Sequence, residues 1–251
     1  MKPMKRWLLA ALLFPVCLVW RLPASLADQW LAWFSEGAVR LADAEGTVWA
    51  GRGDLRVVDP ARRAWQPWLA VAWRVDWGAL WRGRLGWDWS SGGQRLARVE
   101  VSPAGISVEA LRLGGPARFF AERIPHSLGR AGWRGDLALD APGWRWDWSG
   151  RCTGKAELRW LGAASDLLRD RDLGDYRVVV TADEGVMRLE WRTLRGDVRV
   201  EGDGRWAIDA RPDLQVTISG DPALLQHLPG VAGRWATPGA RPGTWVVAVG
   251  R

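Results

Sequence analysis

From Val39 to the end of the chain, apolar and polar residues alternate with a period of two, the spacing at which side chains share one face of a strand. Leu69, Val71, Trp73, Val75 and Trp77 form one such row, and Leu85, Trp87 and Trp89 form the next, with Ser91-Gly92-Gly93 supplying a turn. Val99 and Val101 meet Ile106 and Val108 across Pro103-Ala104-Gly105, a short hairpin signal. A first β block is therefore expected over 35–113. Pro116, Pro125 and Gly129 break the rhythm over 114–131, a loop with a short helix around Phe119-Phe120. A second block, 132–251, starts at Trp133. In it Trp144, Trp146 and Trp148 share a face opposite Arg145 and Asp147. Val178 and Val180 pair with Met187, Leu189 and Trp191 around Asp183-Glu184-Gly185. Asp203-Gly204 reads as a further turn between Val198/Val200 and Trp206/Ile208. Leu167-Leu168 falls in a short excursion, Pro222 to Leu228 reads as one short helix, and Trp245 to Val249 reads as the last strand.

Within this alternation one theme recurs: a bulky residue, then glycine, a small or charged residue, and an apolar strand. It is fullest at Gly46-Thr47-Val48-Trp49-Ala50-Gly51-Arg52-Gly53-Asp54-Leu55. It returns at Trp81-Arg82-Gly83, Trp133-Arg134-Gly135-Asp136-Leu137, Cys152-Thr153-Gly154 and Leu194-Arg195-Gly196-Asp197-Val198. Repetition of this kind predicts similar hairpin units in a mainly β fold. The expected architecture is an N-terminal single transmembrane helix followed by a repeat-like antiparallel β domain. One continuous curved sheet and two stacked sheets remain equal alternatives.

The N-terminus has a different period. Lys2, Lys5 and Arg6 precede an uncharged run whose apolar residues include Trp7, Leu8, Leu9, Leu12, Leu13, Phe14, Val16, Leu18, Val19 and Trp20. As a helix, Trp7 to Trp20 is ~21 Å long, short of a hydrocarbon core of ~30 Å. Continuing the helix to Ala27, with Arg21 snorkelling, would bring it to ~31 Å. Ser25-Leu26-Ala27 also resembles a signal cleavage site. The aromatics bracketing the run favour a retained anchor, and the leading positive charges place the N-terminus in the cytoplasm. Residues 1–34 are then a basic tip, anchor and juxtamembrane helix (helical again from Asp28 to Phe34), and 35–251 lie beyond the membrane.

Composition changes this picture little. The chain has 251 residues with 21 Trp, 1 Tyr, 4 Phe and no Asn, the usage of a GC-rich coding sequence in which Trp fills ordinary core positions. Of the formal charge of +7, three charges precede the apolar run, and the rest alternate with Asp and Glu along strands. No basic stripe emerges, which argues against a nucleic-acid partner. Cys17 and Cys152 lie in different environments and are not expected to pair.

Chemistry is equally sparse. The two histidines, His126 and His227, have no Cys or His at ligand spacing. Gly202-Asp203-Gly204-Arg205-Trp206-Ala207 resembles a dinucleotide fingerprint but joins strand to strand, so it reads as a hairpin turn. Asp166, Asp170, Asp172 and Asp175 are interspersed with Arg169 and Arg171, a poor cation loop. The expectation is no enzyme, no catalytic set, no metal and no cofactor.

The basic-apolar anchor, the Gly46-Thr47-Val48-Trp49-Ala50-Gly51 signature and the Gly-x-Leu strands ending in Pro222 to Gly230 together resemble the type II secretion system protein N family, over essentially the full length. That resemblance implies a bitopic inner-membrane protein whose periplasmic β domain is a non-enzymatic accessory part of the export machinery. Its implied partners are other secretion components and the lipid bilayer. The family also looks related to AsmA-like proteins, which implies an alternative: a periplasmic groove holding or transferring a lipid ligand.

Overall fold

The computed structural model describes residue 14 and residues 17–59, 64–121, 131–166, 172–207, 210–225 and 236–249. These form fourteen strands: β1 (Val39–Gly46), β2 (Ala50–Asp59), β3 (Ala64–Asp76), β4 (Leu85–Ser91), β5 (Gln94–Ser102), β6 (Gly105–Pro116), β7 (Trp133–Asp147), β8 (Cys152–Ser165), β9 (Asp172–Asp183), β10 (Val186–Arg195), β11 (Arg199–Ala207), β12 (Asp213–Ser219), β13 (Ala236–Pro238) and β14 (Thr244–Val249). Besides helical residues 17–20, the helices are α1 (Ser25–Phe34) and the single turns α2 (Trp77–Leu80), α3 (Arg118–Ala121) and α4 (Pro222–Leu225). All strands belong to one open antiparallel sheet, each beside its sequence neighbour except at the end, where the order is β12-β14-β13. Of the two architectures left open by the sequence, the single sheet is the one formed.

The chain divides into two compact units, 1–95 and 96–251. In the first, Leu69, Val71, Trp73 and Val75 do share the inward face of β3, where Trp73 pairs with Trp89 and Val75 with Trp87 of β4. Trp77 does not join that row. The Asp76 carboxylate accepts the Gly78 N–H at 2.9 Å and starts α2, turning the chain out of the strand. The first edge of the sheet, β1, is covered by α1. Its outward N–H groups at Val39 and Leu41 donate to Ser35 Oγ at 3.0 Å and to Asp28 Oδ1 at 2.8 Å, which removes a template for unwanted pairing.

The second unit has an apolar and a polar sheet face. Leu139, Leu158, Val178 and Trp191 are successive register partners on the apolar side, as are Ala156, Val180 and Leu189 beside them. The opposite side carries charge ladders: Glu157 meets Arg177 at 2.5 Å and Arg159 at 2.6 Å, so its carboxyl is held below the usual range, chiefly by the Arg177 hydrogen bond. No large described side chain is fully buried, because among the described residues no second sheet lies on the apolar face. α4 covers one end, where Leu225 and Val198 pack with Leu173, Val200, Ile218 and Trp245. Tyr176 is anchored by its hydroxyl between the carbonyls of Leu173 (2.9 Å) and Val198 (3.0 Å), and burial pushes its pKa up to about 12.

Several expectations need correction here. Asp203-Gly204 is not a turn, and the glycine-rich pattern around it is not a hairpin. Both glycines lie inside β11, where Gly202 faces Trp191 and Val216, and Gly204 faces Leu189 and Leu214. A Cβ on Gly202 would lie 2.3 Å from the Gln215 carbonyl, so the strands approach too closely for any side chain. Trp148 leaves the Trp144/Trp146 face for a turn, where its indole N–H reaches the Pro103 carbonyl at 2.9 Å. That turn is organised by Asp147, which accepts from Ser149 and Arg151; the Ser149 hydroxyl, at 2.5 Å, contributes most to lowering its pKa to about 2. The last strand forms where expected, as β14, and runs between β12 and β13. Leu167-Leu168, Ile208 and Gln226 to Gly230 lie outside the described residues.

Candidate functional site

The Gly46–Gly51 signature closes a two-residue hairpin whose tip is Val48-Trp49. Glu45 faces Arg52 and Gly46 faces Gly51, and the Thr47 N–H donates to the Ala50 carbonyl at 2.9 Å. The Thr47 hydroxyl sits inside the turn and accepts the N–H groups of Trp49 and Ala50, both at 3.2 Å. Gly46 is required twice over. Its φ is +92°, and a Cβ there would lie 2.5 Å from the Ala50 carbonyl.

This hairpin tip is gripped from both sides. On one side lies the end of the N-terminal apolar segment. Residues 17–20 are helical, Arg21 turns, Pro23 forms an antiparallel bridge with Thr47, and Ala24 is already helical as the N-cap of α1. The Ala24 N–H donates to the Gly46 carbonyl and the Val48 N–H to the Leu22 carbonyl, both at 3.1 Å. The Trp49 indole N–H reaches further back, to the Val19 carbonyl at 2.9 Å. On the other side lies the end of β3: the Trp73 indole donates to the Thr47 carbonyl at 3.0 Å and the Val75 N–H to the Trp49 carbonyl at 2.7 Å. Trp20 stacks on Trp77 at 4.9 Å, and Trp49 lies against the same ring at 5.6 Å. Asp28 completes the joint. Arg40 binds its carboxylate through Nε at 2.8 Å and Nη2 at 2.5 Å, which is the main cause of its lowered pKa, assisted by the Leu41 N–H and opposed by burial.

The expected membrane helix fares unevenly. Trp7, Leu8, Leu9, Leu12, Leu13 and Val16 lie outside the described residues. Phe14, Leu18, Val19 and Trp20 are described and exposed. No described helix is long and apolar enough to cross a membrane. The helix also does not continue through Leu22 to Ala27. Pro23 removes a donor and its ring disfavours helical backbone at Leu22, so the chain turns extended and restarts as α1 at Ser25. The signature residues Gly46, Thr47, Val48, Trp49 and Gly51 are thus brought together with Val19 and Trp20. Sequence reasoning missed Leu22 to Ala24, Asp28, Trp73, Val75 and Trp77 as their partners. Pro23 was the available signal, since an X-Pro pair reads as extended.

Among the described residues no catalytic geometry competes with this joint. A depression of roughly 780 Å³ opens beside the hairpin on the polar face of β2 to β4, with Glu45, Asp76 and Asp88 alternating with Arg52, Arg74 and Arg95 around small residues. It holds no nucleophile-base pair. Among the described residues no group of three or more His, Cys, Asp and Glu side chains converges. Of the acidic cluster, Asp166 turns to Arg134 at 3.1 Å and Asp175 to Arg195 at 3.2 Å, while Asp170 lies outside the described residues. His126 and His227 lie outside the described residues.

An N-terminal segment joined by a dedicated hairpin to an open antiparallel sheet makes this a mainly β protein. Residues 37–242 match the family described as type II secretion system (T2SS), protein N, and the chain belongs to that family of secretion-machinery components. No curated protein matches the chain, and no solved structure does.

Proposed function

We propose that the protein is a non-enzymatic accessory component of type II secretion, held in the inner membrane by residues 1–34 with residues 35–251 in the periplasm, where it contacts other secretion components. Family membership supports the system and the envelope location. The observation that carries the finer reading is the hairpin joint: a segment with basic-then-apolar character enters the fold and is fixed there by backbone and indole hydrogen bonds to one turn. Such a joint sets the angle at which a sheet leaves its support, which is the task of a scaffold. The sheet edges are poor partner sites, because β1 is capped by α1 and β13 has only three residues, one of them Pro238. Contacts with other components therefore fall to the faces and loops. In a strain lacking the protein, the wild-type chain should restore export of folded proteins to the medium and should co-purify with secretion components from detergent extracts. Unimpaired export in that strain would overturn the reading.

A second reading draws on one observation in residues 96–251. The apolar face there is half-exposed and uncovered by any described second layer, the arrangement that suits acyl chains. Phospholipid retained in stoichiometric amount by the purified chain, and lost in Trp191→Glu with the fold intact, would favour it.

A further inference from the structure

We infer that the first unit rests on the bilayer surface through an aromatic collar, with α1 lying in the interface plane. Trp30, Trp33 and Phe34 recur at i, i+3 and i+4 on α1 and point away from the sheet, 67%, 76% and 76% exposed. Trp81, just beyond α2, is 94% exposed, and Leu80 beside it is also exposed. A helix that packs Asp28 and Ser35 against β1 yet leaves three large aromatic rings in water carries an unpartnered apolar face.

The occupant follows from what adjoins the face. The anchor segment ends at Trp20, and Trp20 stacks on Trp77, only four residues before Trp81. The helix break at Arg21 to Ala24 lets the chain turn from the membrane normal into the plane, where a straight helix would have lifted Trp33 about 20 Å above Trp20. Length requires the same thing. An anchor ending at Trp20 spans ~21 Å against a core of ~30 Å, so the bilayer must thin toward the stem or the protein must be drawn down onto it. Trp and Phe at headgroup level supply that attraction, and the exposed Arg21 adds attraction to anionic lipid, whereas Arg82, also exposed, pairs with Asp76 at 3.8 Å. The partner is therefore a phospholipid interface.

This inference depends on the anchor reading only for the origin of the collar's position, and one experiment separates the two. The full chain is reconstituted in vesicles of phosphatidylethanolamine and phosphatidylglycerol carrying a photoactivatable diazirine near the top of the acyl chain, irradiated, and mapped by peptide mass spectrometry. Lipid adducts are expected in segments 25–34 and 77–84 as well as in 7–20. Replacing Trp30, Trp33 and Phe34 with Ser should abolish the adducts in 25–34 and leave those in 7–20. Adducts confined to 7–20 would overturn the collar and keep the anchor. Adducts in the collar alone would keep the collar and overturn the anchor. Cross-links from segment 25–34 to protein, with no lipid adduct there, would overturn the collar and assign the face to a protein partner.

Discussion

The glycine theme occurs in both compact units and does different things in each. At Gly46–Gly51 it builds a true two-residue hairpin whose tip is bound by the stem and by β3. At Trp133-Arg134-Gly135-Asp136 it lies inside a strand. Gly135, with φ of +99°, sits at a bulge of β7, where a Cβ would approach the Leu161 and Gly162 carbonyls to 2.5 Å. The two share a positive φ and a crowded carbonyl, and differ in the element they build. At both of these glycines the backbones crowd, and the element around each is decided by its neighbours. Among the described residues, only the first copy holds a segment from outside the sheet and forms a joint.

The largest expected effect falls on the joint's supporting ring. Trp73 is 4% exposed and holds the hairpin carbonyl, so Trp73→Ala should cost about 3–5 kcal/mol, read from the unfolding midpoint of the chain in detergent. A smaller change sharpens the contrast between the two glycines. Gly46→Ala and Gly135→Ala should each cost about 1–3 kcal/mol from backbone strain. Only Gly46→Ala should also loosen the stem, speeding trypsin cleavage at the exposed Arg21. Equal acceleration by both variants would mean that the joint has no special hold.

Thr47→Val removes the hydroxyl that accepts from Trp49 and Ala50, and about 1 kcal/mol should follow. The smallest effects are acid titrations, and they too divide by unit. Asp28 has a folded pKa below its reference of 3.8, so its stabilisation is complete above that value and is lost as pH falls through the lowered one. Asp28→Asn should flatten this dependence and raise trypsin cleavage at Arg21. Asp147 has the same sign, with its inflection at about 2, but its loss should leave cleavage at Arg21 unchanged. Carboxyl NMR titration of the two residues checks both.

Much of the strand content was legible because strand faces are written in a period of two: Val71, Trp73 and Val75 lie where their alternation places them, as do Val178, Val180, Leu189 and Trp191. Turns were less legible. Asp203-Gly204 has ideal turn chemistry, yet Gly204 is needed for a close approach to Leu214, and the chain turns instead at Gly196. The same ambiguity misplaced Trp77 and Trp148, whose alternation continues in sequence after Asp76 and Asp147 have capped the next turn. The signature was visible as a motif, but not as a clamp. Its partners at Leu22 to Ala24 carry no periodic signal, and a long-range backbone pairing leaves no trace in local spacing.

The central claim is that the signature hairpin holds the stem, and the pair Pro23 and Thr47 tests it most directly. They form an isolated antiparallel bridge flanked by the Ala24–Gly46 and Val48–Leu22 hydrogen bonds. In this non-hydrogen-bonded type of pair the Cα atoms are about 4.5 Å apart, within reach of a disulfide. In a chain with Cys17→Ser and Cys152→Ser, the double substitution Pro23→Cys and Thr47→Cys should oxidise nearly completely in the intact protein, while Pro23→Cys with Arg56→Cys should stay reduced. Free thiols in both double variants would contradict the account.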